Sequence, residues 1–437
     1  MNSVRSNVAM ESLPVAGIAR RSLRSNVFAL GVVQYSGYLL SFLTLPLLAR
    51  ALGASAYGRL SMATALITYA SLLVEFGFNY SATRRIALTG DDVTTRRAIF
   101  WDVLYARLLL MLAGCGLIFV VAAALLPATS LQTLLLLSLP TVLAAALNTT
   151  WYFQGLENVA RAAWPNLIPR LLAIPLLLWW VRSPADVGAA ALILACSPLL
   201  ASLINLVQLQ RLGEIQFRPP AKARIAAGIR ESWPLFLSNA AITLYTSTNV
   251  LVLGVLVSES AAAFYAAADK IIRLFHMLIA PLTQAVFPRA TRLLHEAPAA
   301  ATVFVRRLLA TQAALGLAFS GVTLLLARFI VDLVFGADFA PASAVLLILA
   351  FVPVVTSLSH VFGIQVMVPL GHSRAFGRIV TAAAIVNLGL LVPLTLLFAQ
   401  VGTALTALST ELFVTVAMSL FVCRRYPQFV RMTPGTR

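Results

Sequence analysis

The sequence VFALGVVQYSGYLLSFLTLPLLA at residues 27–49 contains no charged residue and is long enough to cross a lipid bilayer as one helix. Many similar stretches follow it, because 60% of the 437 residues are hydrophobic and only 11% are charged. Soluble domains carry about 25% charged residues. Polar or turn-rich breaks between these stretches predict an all-α integral membrane protein with twelve transmembrane helices. The predicted spans are residues 27–49, 60–79, 103–126, 132–153, 166–182, 188–210, 233–256, 263–288, 303–327, 342–367, 378–398 and 403–423.

The basic residues lie mainly on one side of this pattern. Four arginines at span ends, Arg182, Arg306, Arg307 and Arg378, are counted with the adjacent breaks. Of the 32 arginines and lysines, 24 then fall in the two tails and the even-numbered breaks, and four fall in the odd-numbered breaks. The positive-inside rule therefore predicts cytoplasmic N- and C-termini and an even number of spans. The net charge of +17 is therefore explained by the orientation of the chain in the membrane. No nucleic-acid partner is expected.

The long break at residues 211–232 divides the chain into two six-helix halves, an arrangement typical of transporters built from repeats. The odd-numbered breaks are short, so little of the chain is expected to fold outside the membrane. The predicted organisation is a basic cytoplasmic tail at 1–25, a first half at 26–210, a cytoplasmic linker at 211–232, a second half at 233–423 and a cytoplasmic tail at 424–437.

Sequence motifs for several kinds of catalysis are missing. The chain has no GxxxxGK[ST] loop for ATP phosphates, no HExxH and no GxSxG, and its cysteines and histidines show no metal-ligand spacing. Cys115, Cys196 and Cys423 all lie in apolar stretches and are interpreted as core residues. We therefore expect no metal, no cofactor and no enzymatic activity.

Polar residues recur at helical spacing in the first two spans of each half, which places each set on one face of its helix. In the hydrocarbon region such faces normally turn toward a bundle interior or a water-filled cavity. The pattern predicts a central cavity, although serine and threonine also join helices through hydrogen bonds. The residues are Gln34, Tyr38 and Ser41; Thr64, Thr68, Ser71, Glu75 and Asn79; Asn239, Thr243, Thr246 and Asn249; and Tyr265, Asp269, Arg273 and His276.

Span 8 contains the main candidates for substrate binding. Asp269 and Arg273 are four residues apart and can pair on the helix surface. An arginine near the bilayer centre costs about 2.5–3.5 kcal/mol on insertion scales, and Lys270 adds a second cation. We predict that Lys270 and Arg273 bind an anionic substrate group with Asp269 as their partner; a structural ion pair is the alternative.

Glu75 and Glu411, together with Asp269, are the candidate residues for coupling to H+ or Na+. Glu75 lies near the end of span 2, where pairing with Arg84 or Arg85 is the structural alternative. Glu411 lies near the middle of span 12, with no evident partner in the sequence. Arg107 lies near a span boundary and is expected to extend toward the lipid headgroups.

Five segments resemble the polysaccharide and O-antigen flippases, the Wzx type of the MATE/MOP transporter superfamily. The resemblance runs in order from about residue 22 to residue 423, through both halves. The segments are LARALGASAYGRLS (48–61), LLVEFGFNYSATRRIA (72–87), NTTWYFQGLENVARAA (148–163), FYAAADKIIRLFHMLIAPLTQAVFPRATRL (264–293) and FGADFAPASAVLLILAFVPVVTSLSHVFGIQVMVPLG (335–371).

The resemblance implies two six-helix halves around a central cavity in the bacterial inner membrane. Such a protein moves an undecaprenyl-pyrophosphate-linked oligosaccharide between the leaflets by alternating access. The energy source stays open between an H+ or Na+ gradient and consumption of the product by the polysaccharide polymerase and chain-length machinery. The site residues that it implies are Arg50, Glu75, Asn79, Arg84, Gln154, Glu157, Asp269, Lys270 and Arg273, to which the polar face of span 7 adds Asn239 and Asn249.

Three other functions compete with this interpretation. A MATE-like drug or cation antiporter is expected to have an acidic cavity, whereas the cavity predicted here is cationic or balanced. A polysaccharide polymerase or ligase typically has a large periplasmic loop, and no outer break is long enough. A lipid II flippase of the same superfamily usually has fourteen spans, and the sequence has room for twelve.

Overall fold

The computed structural model describes the backbone of residues 23–125 and 129–429 and the side chains of residues 42–124 and 130–429, except Ser238, Pro281, Gln284, Ala285 and Pro288. Within these ranges the chain is helical and has no β-strand. The α-helices are Leu23–Glu75 (α1), Phe78–Leu88 (α2), Val93–Leu125 (α3), Thr129–Leu147 (α4), Thr150–Gly155 (α5), Val159–Trp180 (α6), Val187–Arg211 (α7), Lys222–Leu256 (α8), Glu259–Glu296 (α9), Pro298–Val334 (α10), Ala342–Leu349 (α11), Val352–His360 (α12) and Ser373–Arg425 (α13). Shorter 3-10 turns cover Pro184–Asp186, Ala337–Phe339 and Pro427–Phe429, and a π-helix covers Val361–Met367.

Nine helices in the described ranges are long and apolar enough to cross a membrane, which confirms the prediction of an all-α membrane protein. Two of them, Phe42–Leu88 and Ser373–Arg425, are 47 and 53 residues long, and one span needs roughly 20. Each contains a residue with left-handed backbone angles, Gly53 at φ 68° and Ala399 at φ 49°. These positions coincide with predicted breaks between spans.

Helix α1 joins the first half (α1–α7) to the second half (α8–α13), because it packs against α4 and α6 as well as α8 and α9. At Gly58 the two halves approach so closely that a Cβ would lie 1.8 Å from the carbonyl oxygen of Glu259. Arg59 adds a 3.0 Å salt bridge to the Glu259 carboxylate, and the Ser55 hydroxyl donates to it at 2.7 Å. We call this region, Ser55–Arg59 with Glu259, the closed end.

The connection between the halves packs against α3, where the Ala221 backbone N–H donates to the Asp102 carboxylate at 3.2 Å. The predicted linker at residues 211–232 is largely helical, because α8 begins at Lys222. The Arg224 guanidinium, in the first turn of α8, forms a 2.6 Å salt bridge with the buried carboxylate of Asp102 on α3. This pair holds the start of α8 against the first half and extends the helix beyond its predicted apolar span.

One set of predicted cavity residues lies outside the part of the chain whose side chains are described. Gln34, Tyr38 and Ser41, on the predicted polar face of span 1, lie outside the side chains that the structure describes. The part of the N-terminal tail before residue 23 and the C-terminal tail after residue 429 also lie outside the described residues.

Candidate substrate-binding site

An ion pair on α9 lies at the centre of the candidate site. The Arg273 guanidinium donates through Nε to the Asp269 carboxylate at 2.5 Å, as the four-residue spacing predicted. A cavity of about 570 Å³ within the second half is lined by both residues and by Glu411 of α13, which interacts electrostatically with Arg273. The Arg273 side chain remains 47% accessible. The guanidinium is therefore paired and still open to a ligand.

A second cavity, of about 330 Å³, lies between the two halves. Its walls include Tyr57 and Thr64 of α1, Leu194 of α7, and Lys270 and Arg273 of α9. The Lys270 ammonium donates to the Tyr57 hydroxyl at 2.7 Å and lies 5.0 Å from the centre of the tyrosine ring. Because Arg273 lines both cavities, its guanidinium connects the space between the halves with the space inside the second half.

The charges at this site are balanced. The site contains two cations, Lys270 and Arg273, and two acids, Asp269 and Glu411, both of which interact with Arg273. Sequence reasoning placed only Asp269 beside the cations. An anionic ligand at Arg273 therefore competes with Asp269, and its binding is favoured when Asp269 is displaced or an acid is neutralised. The site therefore differs from a purely cationic patch, because two acids lie beside its cations.

A separate charged cluster lies in the first half, around Arg107 of α3. Arg107 is 1% exposed and donates to the Asn79 side chain and to the Asn148 backbone carbonyl, both at 2.8 Å. Glu75 interacts with Asn79 and Arg107. The guanidinium also lies 5.7 Å from the centre of the Trp151 ring.

This cluster corrects two expectations. Arg107 does not extend to the headgroups, because the junction of α4 and α5 covers it and supplies carbonyl acceptors. Glu75 interacts with Arg107 and Asn79, whereas Arg84, an expected partner, lies 3.8 Å from Glu231. Sequence reasoning missed Arg107 as a member of the cluster, although it is the single charged residue within the predicted span at 103–126.

The other predicted site residues are dispersed over the molecule. Arg50 donates to the Leu333 carbonyl at 2.5 Å, near the closed end. Gln154 lies on α5, and the exposed Glu157 follows it in a turn with φ 55°. Asn239 is half-buried on α8.

Asn249, also on α8, joins the site around Arg273. It is 2% exposed, lines the cavity within the second half and donates to the Tyr265 hydroxyl at 2.9 Å. The structure therefore brings Asn249, Asp269, Arg273 and Glu411 together around one cavity, with Lys270 beside it. Of the other candidates, Glu75 and Asn79 lie in the cluster around Arg107.

The same fold is found in solved structures of membrane transporters. A lipid II flippase, MurJ, in an inward closed conformation superposes with a TM-score of 0.73 at 12% identity, covering 91% of this chain and 88% of that one. A multidrug resistance MATE family transporter of the MOP superfamily, in an inward-facing conformation, superposes with a TM-score of 0.71 at 15% identity, covering 88% and 95%. The chain therefore shares the fold of these two structures.

Sequence comparison identifies the family to which the chain belongs. The chain belongs to the family described as "Polysaccharide biosynthesis protein", whose sequence profile matches residues 23–294. A protein of Escherichia coli (strain K12) named "Putative O-antigen transporter" is 33% identical over 403 residues, which cover 92% of this chain and 97% of the relative. The resemblance found in the sequence is confirmed.

Proposed function

We propose that this protein is a flippase that moves a lipid-linked oligosaccharide, the undecaprenyl-pyrophosphate-linked repeat unit of a surface polysaccharide, across the bacterial inner membrane. It is a multi-pass membrane transporter and not an enzyme. The observation that carries the proposal is Arg273, an accessible cation that lines both the cavity between the halves and the cavity inside the second half. Membership of the polysaccharide biosynthesis family and the relative named for O-antigen transport support the substrate class.

The proposed topology has twelve spans, two six-helix halves and cytoplasmic termini. Breaks at Gly53 and Ala399 divide two of the nine apolar helices into two spans each. Helix α9 supplies one more, since its 38 residues are long enough to cross the bilayer although its polar face lowers its hydropathy. The bias of arginine and lysine toward the even-numbered breaks supports the orientation.

In this topology the closed end faces outward. The contact of Gly58 with Glu259 and the salt bridge from Arg59 seal the route between the halves on that side. The structure then represents an outward-closed state, in which a headgroup enters from the cytoplasmic side while its lipid tail stays in the bilayer. Separation of the closed end releases the headgroup outside.

The pyrophosphate is proposed to bind Arg273 and Lys270, because guanidinium and ammonium groups are the usual partners of phosphate oxygens. Binding replaces the Asp269 carboxylate on Arg273. A proton or Na+ taken up by Asp269 or Glu411 neutralises the competing acid and favours that exchange. Ion uptake and substrate binding are then linked through one guanidinium, and polymerisation of the product outside adds a further driving force.

The test is complementation of the source strain from which the gene has been deleted. Loss of the protein is expected to cause lipid-linked repeat units to accumulate, and the wild type restores surface polysaccharide. Arg273→Ala and Lys270→Ala should fail to restore it at matched abundance, whereas Arg328→Ala, an exposed arginine on α10, should restore it. Restoration by the first two variants would contradict the site. A deletion strain that accumulates no precursor but becomes sensitive to cationic drugs would instead support an antiporter.

A further inference from the structure

A chamber inside the second half has a polar lining that pyrophosphate binding does not use. The 570 Å³ cavity that contains Arg273 adjoins another of about 460 Å³, and His276, Thr356 and His360 line both. The two imidazole rings stack with their centres 6.0 Å apart, and His276 Nε2 lies 3.0 Å from the Thr356 hydroxyl. We call the cavity of about 460 Å³ the second-half chamber.

Gln312 of α10 lies in the wall of this chamber, and its side-chain amide is fully buried. Its side chain is 0% exposed, and neither its Oε1 nor its Nε2 has a hydrogen-bond partner among the described residues. The buried hydroxyl of Thr283, on the facing wall of α9, is likewise unpartnered within the described part of the chain. Buried amides and hydroxyls are costly without partners, so these two groups favour a polar partner inside the chamber.

The side chains that line the cavities change in character between the cavity that separates the halves and the second-half chamber. The charged side chains of Lys270 and Arg273 line the cavity between the halves, and Arg273 also lines the 570 Å³ cavity. The second-half chamber has neutral hydrogen-bond donors and acceptors beside aromatic rings, including those of Phe275 and Phe287. Amide, hydroxyl and imidazole groups can both donate to and accept from hydroxyl groups, and aromatic rings pack against apolar faces. A sugar ring presents both kinds of surface.

We propose that the second-half chamber binds the sugar residues of the substrate while Arg273 binds its pyrophosphate. The inference rests on the proposed flippase function and adds the position of the oligosaccharide. The order of the binding groups, cation and then neutral polar chamber, matches the order of pyrophosphate and sugars along the substrate. Each cavity also falls within the roughly 300–1,000 Å³ typical of sites that enclose a small ligand.

The test compares two ligands on purified protein in detergent. One is undecaprenyl pyrophosphate without sugar, and the other is the lipid-linked repeat unit extracted from the source strain that lacks the gene. Gln312→Leu and His360→Phe remove polar groups from the chamber with little change of volume. Ser320→Ala is the matched control, because Ser320 lies on the same helix, is 3% exposed and unpartnered among the described residues, and is not part of the chamber lining.

The wild type is expected to bind the sugar-bearing lipid at least about tenfold more tightly than the bare lipid. Gln312→Leu and His360→Phe should remove most of that advantage and leave the affinity for the bare lipid unchanged, whereas Ser320→Ala should change neither affinity. Thermal unfolding of each variant shows whether it is folded. If one of the two variants is misfolded, the binding result of the other, whose substitution lies in a different helix, tests the chamber assignment.

Two different results would contradict the chamber assignment and the flippase function separately. If both folded variants keep the full preference for the sugar-bearing lipid, the sugars bind elsewhere and the chamber assignment is wrong, while the flippase function stands. If the wild type binds neither lipid, the proposed function itself fails, and the chamber assignment fails with it.

Discussion

Each half of the protein contains a cluster of charged residues in its membrane region, and the two clusters differ in accessibility. In the first half, Arg107 is 1% exposed and donates to Asn79 and to the carbonyl of Asn148. In the second half, the Arg273 side chain is 47% accessible and lines two cavities, with a single short salt bridge to Asp269.

The difference separates two uses of an arginine in a membrane protein. A buried guanidinium that donates to a side chain and to backbone carbonyls stabilises the junction of the helices around it, because those acceptors would otherwise be unpartnered in a low-dielectric interior. An accessible guanidinium with one acidic partner keeps donors that a ligand can use. The first arrangement stabilises the fold, and we propose that the second serves transport.

The largest effect is expected from Arg107→Ala, which would break the structural cluster. The substitution leaves Glu75 without its buried counter-charge and the Asn148 carbonyl without its donor, a change that typically costs about 3–5 kcal/mol. The variant should fail to accumulate in membranes, whereas Arg273→Ala should accumulate normally. Size-exclusion chromatography of fluorescently tagged proteins measures both. Equal abundance of the two variants would show that the clusters do not differ in this way.

A second large effect is expected at the closed end, which controls access to the second-half cluster. Gly58→Ala places a Cβ 1.8 Å from the Glu259 carbonyl oxygen, so the halves must separate there. Transport by the proposed mechanism should fall at least about tenfold, because the outward-closed state becomes less stable by more than about 1.4 kcal/mol. Gly321→Ala, in a helix with no heavy atom within 4 Å of the added Cβ, is the control and should transport normally. Normal transport by Gly58→Ala would contradict the closed-end assignment.

An intermediate effect is expected from neutralising one acid in each cluster. Glu411→Gln removes an acid that interacts with Arg273, so transport in proteoliposomes should lose its response to an imposed H+ or Na+ gradient while the protein stays folded. Glu75→Gln should instead lower the unfolding temperature by a few degrees, as expected for loss of about 1 kcal/mol. The reverse outcome, with Glu75→Gln abolishing the gradient response, would assign coupling to the first half.

The smallest effect is expected from Tyr57→Phe, which tests how tightly Lys270 is held. The hydroxyl that accepts the 2.7 Å hydrogen bond is lost, but the ring beside the ammonium remains. Because a single hydrogen bond contributes about 1 kcal/mol, transport should change by less than about fivefold. Lys270→Met removes the cation and should have a clearly larger effect. If the two variants behave alike, the hydroxyl of Tyr57 and not the charge of Lys270 is the important group.

Periodicity along single helices predicted much of the second-half site. Asp269, Lys270 and Arg273 share α9, and their spacing alone showed that the acid and the arginine could pair. Glu411 could not be assigned to the same site, because it lies on α13 and its distance from Arg273 depends on how the helices pack. Arg107 was misinterpreted for a similar reason: its position near a span boundary gave no sign that the α4–α5 junction covers it.

Composition and the distribution of basic residues determined that the chain is helical, membrane-embedded and divided at regular intervals, since hydrophobic length and the asymmetry of charge are local properties of a sequence. The sequence also contained the motifs of its family. Tertiary structure alone decided which charges are accessible, which acid faces which arginine, and that His276, His360 and Gln312 line one chamber. Those facts depend on contacts between helices distant in sequence, and the same apolar face of a helix can pack in more than one way until its neighbours are in place.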